Sequence, residues 1–89
     1  MKNNPDLRER KIAANIRKIR EYRNYTQEYL AARLHISQNA YSKIELGQTK
    51  ITVGRLFQIA DILDATPEDI IAKDDIGLLS AINSASASA

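Results

Sequence analysis

Residues 26–47 read TQEYLAARLHISQNAYSKIELG, and the spacing of the apolar side chains within this stretch decides the fold. Leu30, Leu34, Ile36, Tyr41 and Ile44 are separated by 4, 2, 5 and 3 positions. A single helix would keep a 3.6-residue rhythm. Here the rhythm breaks between Leu34 and Ile36 and then restarts, as it must where one helix ends and a second folds back against it. Ala31, beside Leu30, supplies the small side chain that a steep helix crossing needs. Thr26 and Ser37 stand where N-caps belong, and Glu28 falls near the positive end of the first helix. The stretch is expected to form two short helices joined by a tight turn, a helix-turn-helix.

The second of these helices separates cleanly into two arcs. At about 100° per residue from Gln38, Ser42 lies near 40°, Asn39 near 100° and Lys43 near 140°, whereas Ala40, Ile44 and Tyr41 lie near 200°, 240° and 300°. Tyr41 therefore belongs to the core. Gln and Asn carry a paired donor and acceptor that match the major-groove edge of adenine, and Lys can donate to guanine or to a phosphate. The arc of Gln38, Asn39, Ser42 and Lys43 is thus suited to reading bases, with Ser42 and Lys43 open to a phosphate role or to simple solvation.

Working outward, Asn4-Pro5 reads as a helix start, and Ile12, Ile16 and Ile19 mark the buried stripe of a first helix that runs to about Arg23. Asn24 suits the left-handed conformation of a helix end, as does Gly47 after the third helix. Beyond the polar loop Gln48-Thr49-Lys50, Thr52 caps a fourth helix with Leu56, Ile59, Ala60 and Leu63 facing inward. Thr66-Pro67-Glu68 opens a short fifth through Ile70 and Ile71. The pattern weakens beyond Lys73, and the terminal SASASA is low-complexity sequence expected to be disordered. The expectation is an all-α, compact five-helix bundle: a basic N-terminal extension of the first helix over 1–11, the helix-turn-helix domain over 12–73, and a C-terminal segment, apolar and then disordered, over 74–89.

Charge is distributed unevenly. The net +2 of the 89 residues divides into +7 over residues 1–55, from 12 basic and 5 acidic side chains, and −5 over the remainder, from 1 and 6. The basic portion contains the helix-turn-helix, so it is the part built to face a polyanion. Taken alone, Arg8, Arg10, Lys11, Arg17 and Lys18 read more simply as solvating an exposed helix face; coupled to the helix-turn-helix, they are expected to face the polyanion. There is no Cys, which fits a reducing compartment and rules out a thiolate metal site. No apolar run approaches the ~18 residues of a membrane span, and MKNNPDLRER lacks the apolar centre of a signal peptide. A soluble, cytoplasmic protein is expected.

The chain resembles the phage-repressor and Cro-like, or Xre-type, helix-turn-helix family over roughly Ile12 to Ile71. The resemblance rests on IRKIREYRNYTQEYLAARL, on ISQNAYSKIELG and on the later LFQIADIL and ATPEDII. It implies a lambda-repressor-like domain that binds double-stranded DNA, usually as a homodimer on a near-palindromic operator. Gln38 and Asn39 match the family's base-contacting positions, and Gln27 matches a position that grips the DNA backbone. Thr26 beside it and the loop Gln48, Thr49 and Lys50 fall where the family meets phosphate. The family also pairs an Arg late in helix 1 with a Glu late in helix 3, here Arg20 and Glu45. Two departures stand out: His35 occupies a turn position where the family prefers Gly, and Leu46 one where a polar residue is common.

An enzyme is not expected. The single His sits in the turn, where His tolerates the left-handed region, and neither a second ligand nor a nucleophile accompanies it. With only Gly47, Gly54 and Gly77 there is no glycine-rich phosphate loop. No metal, cofactor or small-molecule ligand is implied. The leading reading is a sequence-specific transcriptional regulator, a repressor in the simplest case. Narrower alternatives are a restriction-modification controller or the antitoxin of a toxin pair. A different class is a protein-interaction module docking through Ile76, Leu78, Leu79 and Ile82. The dimer surface is expected in helix 5 and IGLLSAI.

Overall fold

A computed structural model describes residues 7–72 together with Gly77, Ile82 and Asn83. Over residues 7–72 five helices follow one another: α1 Leu7–Tyr22, α2 Gln27–Leu34, α3 Gln38–Glu45, α4 Val53–Leu63 and α5 Pro67–Ala72. Asn4 and Pro5, read above as the start of the first helix, lie outside the described residues, as do Ile76, Leu78, Leu79 and the terminal SASASA.

The boundaries are written in single residues. Thr26, Ser37 and Thr52 adopt extended backbone, and each side-chain oxygen accepts from the backbone N–H three residues on, satisfying a donor that the first helical turn leaves without a partner. Thr66 Oγ1 does the same for Asp69 N at 3.1 Å, opening α5 at Pro67. Left-handed residues close three helices and the loop after a fourth: Asn24 (φ 63°) follows α1, His35 (φ 60°) ends α2, Asp64 (φ 55°) ends α4, and Gly47 (φ 72°) follows α3. Asp64 had no counterpart in the sequence reading.

Helices α2 and α3 pack on each other, α1 crosses α3, α4 and α5, and α4 lies against α2 and α5. The core joins Ile16 and Ile19 of α1, Leu30, Ala31 and Leu34 of α2, Tyr41 and Ile44 of α3, the inward face of α4, Ile70 and Ile82. Ile82 is fully buried, and Asn83 accepts a hydrogen bond from the Tyr22 hydroxyl at 3.0 Å. Ile82 therefore serves the chain's own core, which removes it from the docking surface suggested for an interaction module. Asn15, on the same face of α1 as Ile12 and Ile19, is also buried and donates to the Ile70 carbonyl at 2.7 Å, tying α5 to α1. Arg23 donates to the carbonyls of Leu63 and Asp64, holding the end of α4 against α1.

Candidate nucleic-acid interface

Eight residues are too few for a helix to be stable alone, so the pose of α3 must come from its neighbours. Tyr41 and Ile44 are buried, and the α3 carboxylate of Glu45 is the point to which three helices attach. Arg20 of α1 donates twice, Nε to Glu45 Oε2 at 2.6 Å and a terminal nitrogen to Oε1 at 3.1 Å. It also donates to the Tyr25 carbonyl at 2.8 Å. The Tyr41 hydroxyl donates to Oε2 at 2.5 Å, and Gln27 of α2 donates its amide to Oε1 at 3.1 Å. The hydrogen bonds to Glu45 raise the pKa of Arg20 further. Burial first, and then the bond to Glu45, pushes the Tyr41 phenol far above its ordinary range.

The fork-to-fork geometry is that of a bidentate charge-assisted pair. The Arg20–Glu45 pair foreseen in the sequence is present. The participation of Gln27 was not foreseen: one N–H of its side-chain amide is turned toward Glu45, which leaves the second amide N–H and its backbone N–H, in the first turn of α2, as the donors able to meet a phosphate. Thr26 Oγ1 accepts from Tyr29 N at 3.0 Å, and its hydroxyl hydrogen remains a donor on an exposed residue.

With α3 so fixed, Gln38, Asn39 and Lys43 are exposed and Ser42 is half-buried. Their outward arc borders a concave cleft of about 400 Å³ between α3 and the start of α4. Asn39, Lys43, Thr49, Lys50 and Arg55 line it, and no carboxylate among the described residues does. Gln48 is exposed on the same loop, its backbone N–H satisfied by the Lys43 carbonyl at 3.0 Å. Of the base-reading candidates the structure thus brings Asn39 and Lys43 together with Thr49 and Lys50, while Gln38 and Ser42 lie outside the cleft lining; Thr26 and Gln27 stand at the start of the neighbouring helix.

Two further basic residues, neither among the contact positions drawn from the sequence, are held near α3: one in the cleft and one against the glycine that follows the helix. Arg55 lines the cleft beside Lys43 and Lys50. Arg10 packs against Gly47, where an added Cβ would stand 3.1 Å from its Cγ. The only hint in the sequence was their membership of the basic half. Arg17, by contrast, forms an exposed pair with Glu21 at 3.0 Å, the solvating role considered above. Asp61 and Asp64 lie at the far end of α4 and border a separate cleft with Asp69, so the charge asymmetry of the sequence becomes a separation along one helix, about 9 Å from Arg55 to Asp61 and about 14 Å to Asp64.

A helix-turn-helix family model matches residues 16–70, more than half of the chain. The chain belongs to this family, in its Cro/C1-type, Xre-like form, and is a DNA-binding helix-turn-helix regulator. The family is generally non-enzymatic. Neither a curated protein nor a solved structure matches the chain at a significant level. No helix among the described residues is long and apolar enough to cross a membrane.

Proposed function

We propose that the chain is a transcriptional repressor that inserts α3 into the DNA major groove, two copies binding a near-palindromic operator and occluding a promoter. The observation that carries this reading is the exposed arc of Gln38, Asn39 and Lys43 on a helix whose opposite side is pinned by Tyr41, Ile44 and Glu45. Gln38 and Asn39 supply the bidentate amides that select adenine, and Lys43 reaches guanine or a phosphate. Ser42 adds a hydroxyl at the edge of the arc. Thr26, Gln27, Gln48, Thr49 and Lys50 grip the backbone on either side, supported by Arg10 and Arg55, and so set the register in which α3 is read.

One α3 reads only a few base pairs, too little to single out a site in a genome. Two copies on half-sites about 34 Å apart supply the missing information. Selection of bound duplexes from a random pool tests the reading. The expected product is a two-fold-related consensus. On that consensus Gln38→Ala and Asn39→Ala each lower affinity by on the order of 1–3 kcal/mol, with nonspecific binding nearly unchanged. Equal losses on selected and random DNA would remove α3 from base reading.

A further inference from the structure

The outward face of α4 carries apolar side chains that the fold of one chain does not use. Val53 is 68% exposed and Phe57, one turn later on the same face, is 53% exposed. Ile71 of α5 is 52% exposed and shares with Val53 an apolar groove of about 190 Å³, whose floor is Ile12, Ile51 and Leu56 and whose rim includes Glu9. Phe57 therefore stands beside a hollow of its own protomer. Between Val53 and Phe57 the helix has Gly54. Its backbone is not left-handed, and among the described residues no heavy atom lies within 4 Å of the Cβ it lacks. A glycine inside a helix weakens it relative to alanine, and here no contact with other elements among the described residues demands one. It does let another backbone approach closely.

We infer that a second copy of this chain docks on this face, the Phe57 ring of each protomer entering the other's groove near Ile71 while the two α4 helices approach at Gly54. The inference rests on the proposed two-copy reading and names its surface. A projecting ring and a hollow adjacent on one face are what a two-fold interface requires, since the same patch must complement itself. The position agrees as well: the start of α4 also walls the cleft beside Asn39 and Lys43, so a pair formed there keeps both α3 helices on the DNA side. Val53, Phe57 and Ile71 expose on the order of 300 Å² of side chain, a patch size that on monomers is often functional. That is well short of the ~800 Å² per partner of a stable interface. The pair is thus weak in free solution and forms when DNA holds both members close. The surface differs from helix 5 and IGLLSAI, the location expected from sequence, and shares with it only Ile71.

The test uses the full chain and a duplex selected by it from a random pool, whole and cut to one half-site. Phe57→Asp and Gly54→Gln are compared with the wild type for protomers bound, by mass of the complex, and for cooperativity. Both changes lie at exposed positions, and Gly54→Gln keeps or raises the melting temperature, so it serves even if Phe57→Asp does not fold. The expected result is unchanged affinity for the half-site, with cooperative affinity for the whole duplex lowered at least tenfold. Because the chain has no Cys, Gly54→Cys adds a sole thiol that a short bis-maleimide links into dimers when the duplex is present. Cooperative two-protomer binding retained by both variants would overturn the surface and leave the two-copy reading standing. A wild-type complex containing one protomer would overturn both. Phe57→Asp that loses stability while keeping cooperativity would assign the face to the chain's own ends and overturn the docking.

Discussion

Replacing Glu45 by Leu removes a carboxylate that Arg20, Tyr41 and Gln27 share, and the structure predicts that the two ends of the ion pair are not equivalent. The Glu45 side chain is 2% exposed and that of Arg20 11%, so water cannot replace a lost partner, and breaking such a pair on one side costs about 3–5 kcal/mol. Arg20→Met leaves the carboxylate with the Tyr41 hydroxyl and the Gln27 amide, which places its cost near the lower end, about 3 kcal/mol. Glu45→Leu leaves the guanidinium with the Tyr25 carbonyl and a 4.0 Å approach to Glu21. It also orphans the buried phenol, worth a further ~1–3 kcal/mol. A chain of 89 residues holds roughly 4–13 kcal/mol of stability in all, so Glu45→Leu brings the fold close to unfolding. The double variant removes both charges and recovers about 2–3 kcal/mol relative to the sum of the single changes. Urea denaturation of the four chains at pH 7, followed by circular dichroism, measures each cost. Additive losses, or Arg20→Met costing as much as Glu45→Leu, would refute the assignment of Glu45 as the shared acceptor.

Three further expectations concern the same frame. Lys50→Ala and Arg55→Ala should each weaken selected and random DNA alike and reduce the slope of log affinity against log salt by about one unit; an unaltered slope would take that residue out of the phosphate set. Gly47→Ala should cost about 1–2 kcal/mol in thermal unfolding, because a left-handed φ penalises any Cβ and Arg10 must yield to it; a neutral result would mean the loop relaxes without penalty. The phenol of Tyr41 ionises in the unfolded chain near pH 10 and in the folded chain only well above that, owing to burial and then its bond to Glu45. Its contribution is therefore complete below about pH 10 and is lost as the pH rises further, at up to about 1.4 kcal/mol per unit. Tyr41→Phe should lack that alkaline slope in unfolding measured between pH 9 and 11.5, and an identical slope would exclude Tyr41 as its source.

The helix ends were legible because each depends on one residue and its own backbone: Thr26, Ser37 and Thr52 as caps, Asn24, His35 and Gly47 as left-handed positions. Asp64 escaped because an aspartate after an apolar helix looks like any surface residue. Asn15 could have been found, since it lies three positions after Ile12 and four before Ile19, on the buried stripe itself. The bonds from Arg23 to Leu63 and Asp64, and from Gln27 to Glu45, join residues 40, 41 and 18 positions apart. No local pattern encodes such pairs. Gln27 was assigned to DNA alone because its family position concealed its second neighbour.

The same carboxylate explains why fold and recognition cannot be separated in this chain. Advancing an eight-residue helix by one position turns it about 100°, which would bring Ala40 to where Asn39 now stands. Apolar packing of Tyr41 and Ile44 restrains that rotation only loosely, because oily contacts have little directional preference. Hydrogen bonds are directional, and Glu45 receives them from α1, from α2 and from its own helix. Under the proposed reading, changes at Arg20, Gln27 or Tyr41 alter which bases are selected although none of these side chains need reach a base. An equal loss of affinity for selected and random DNA with undiminished stability at Gln27→Ala would locate that residue on the DNA backbone, whereas parallel losses of stability and selectivity would locate its effect in the pose of α3.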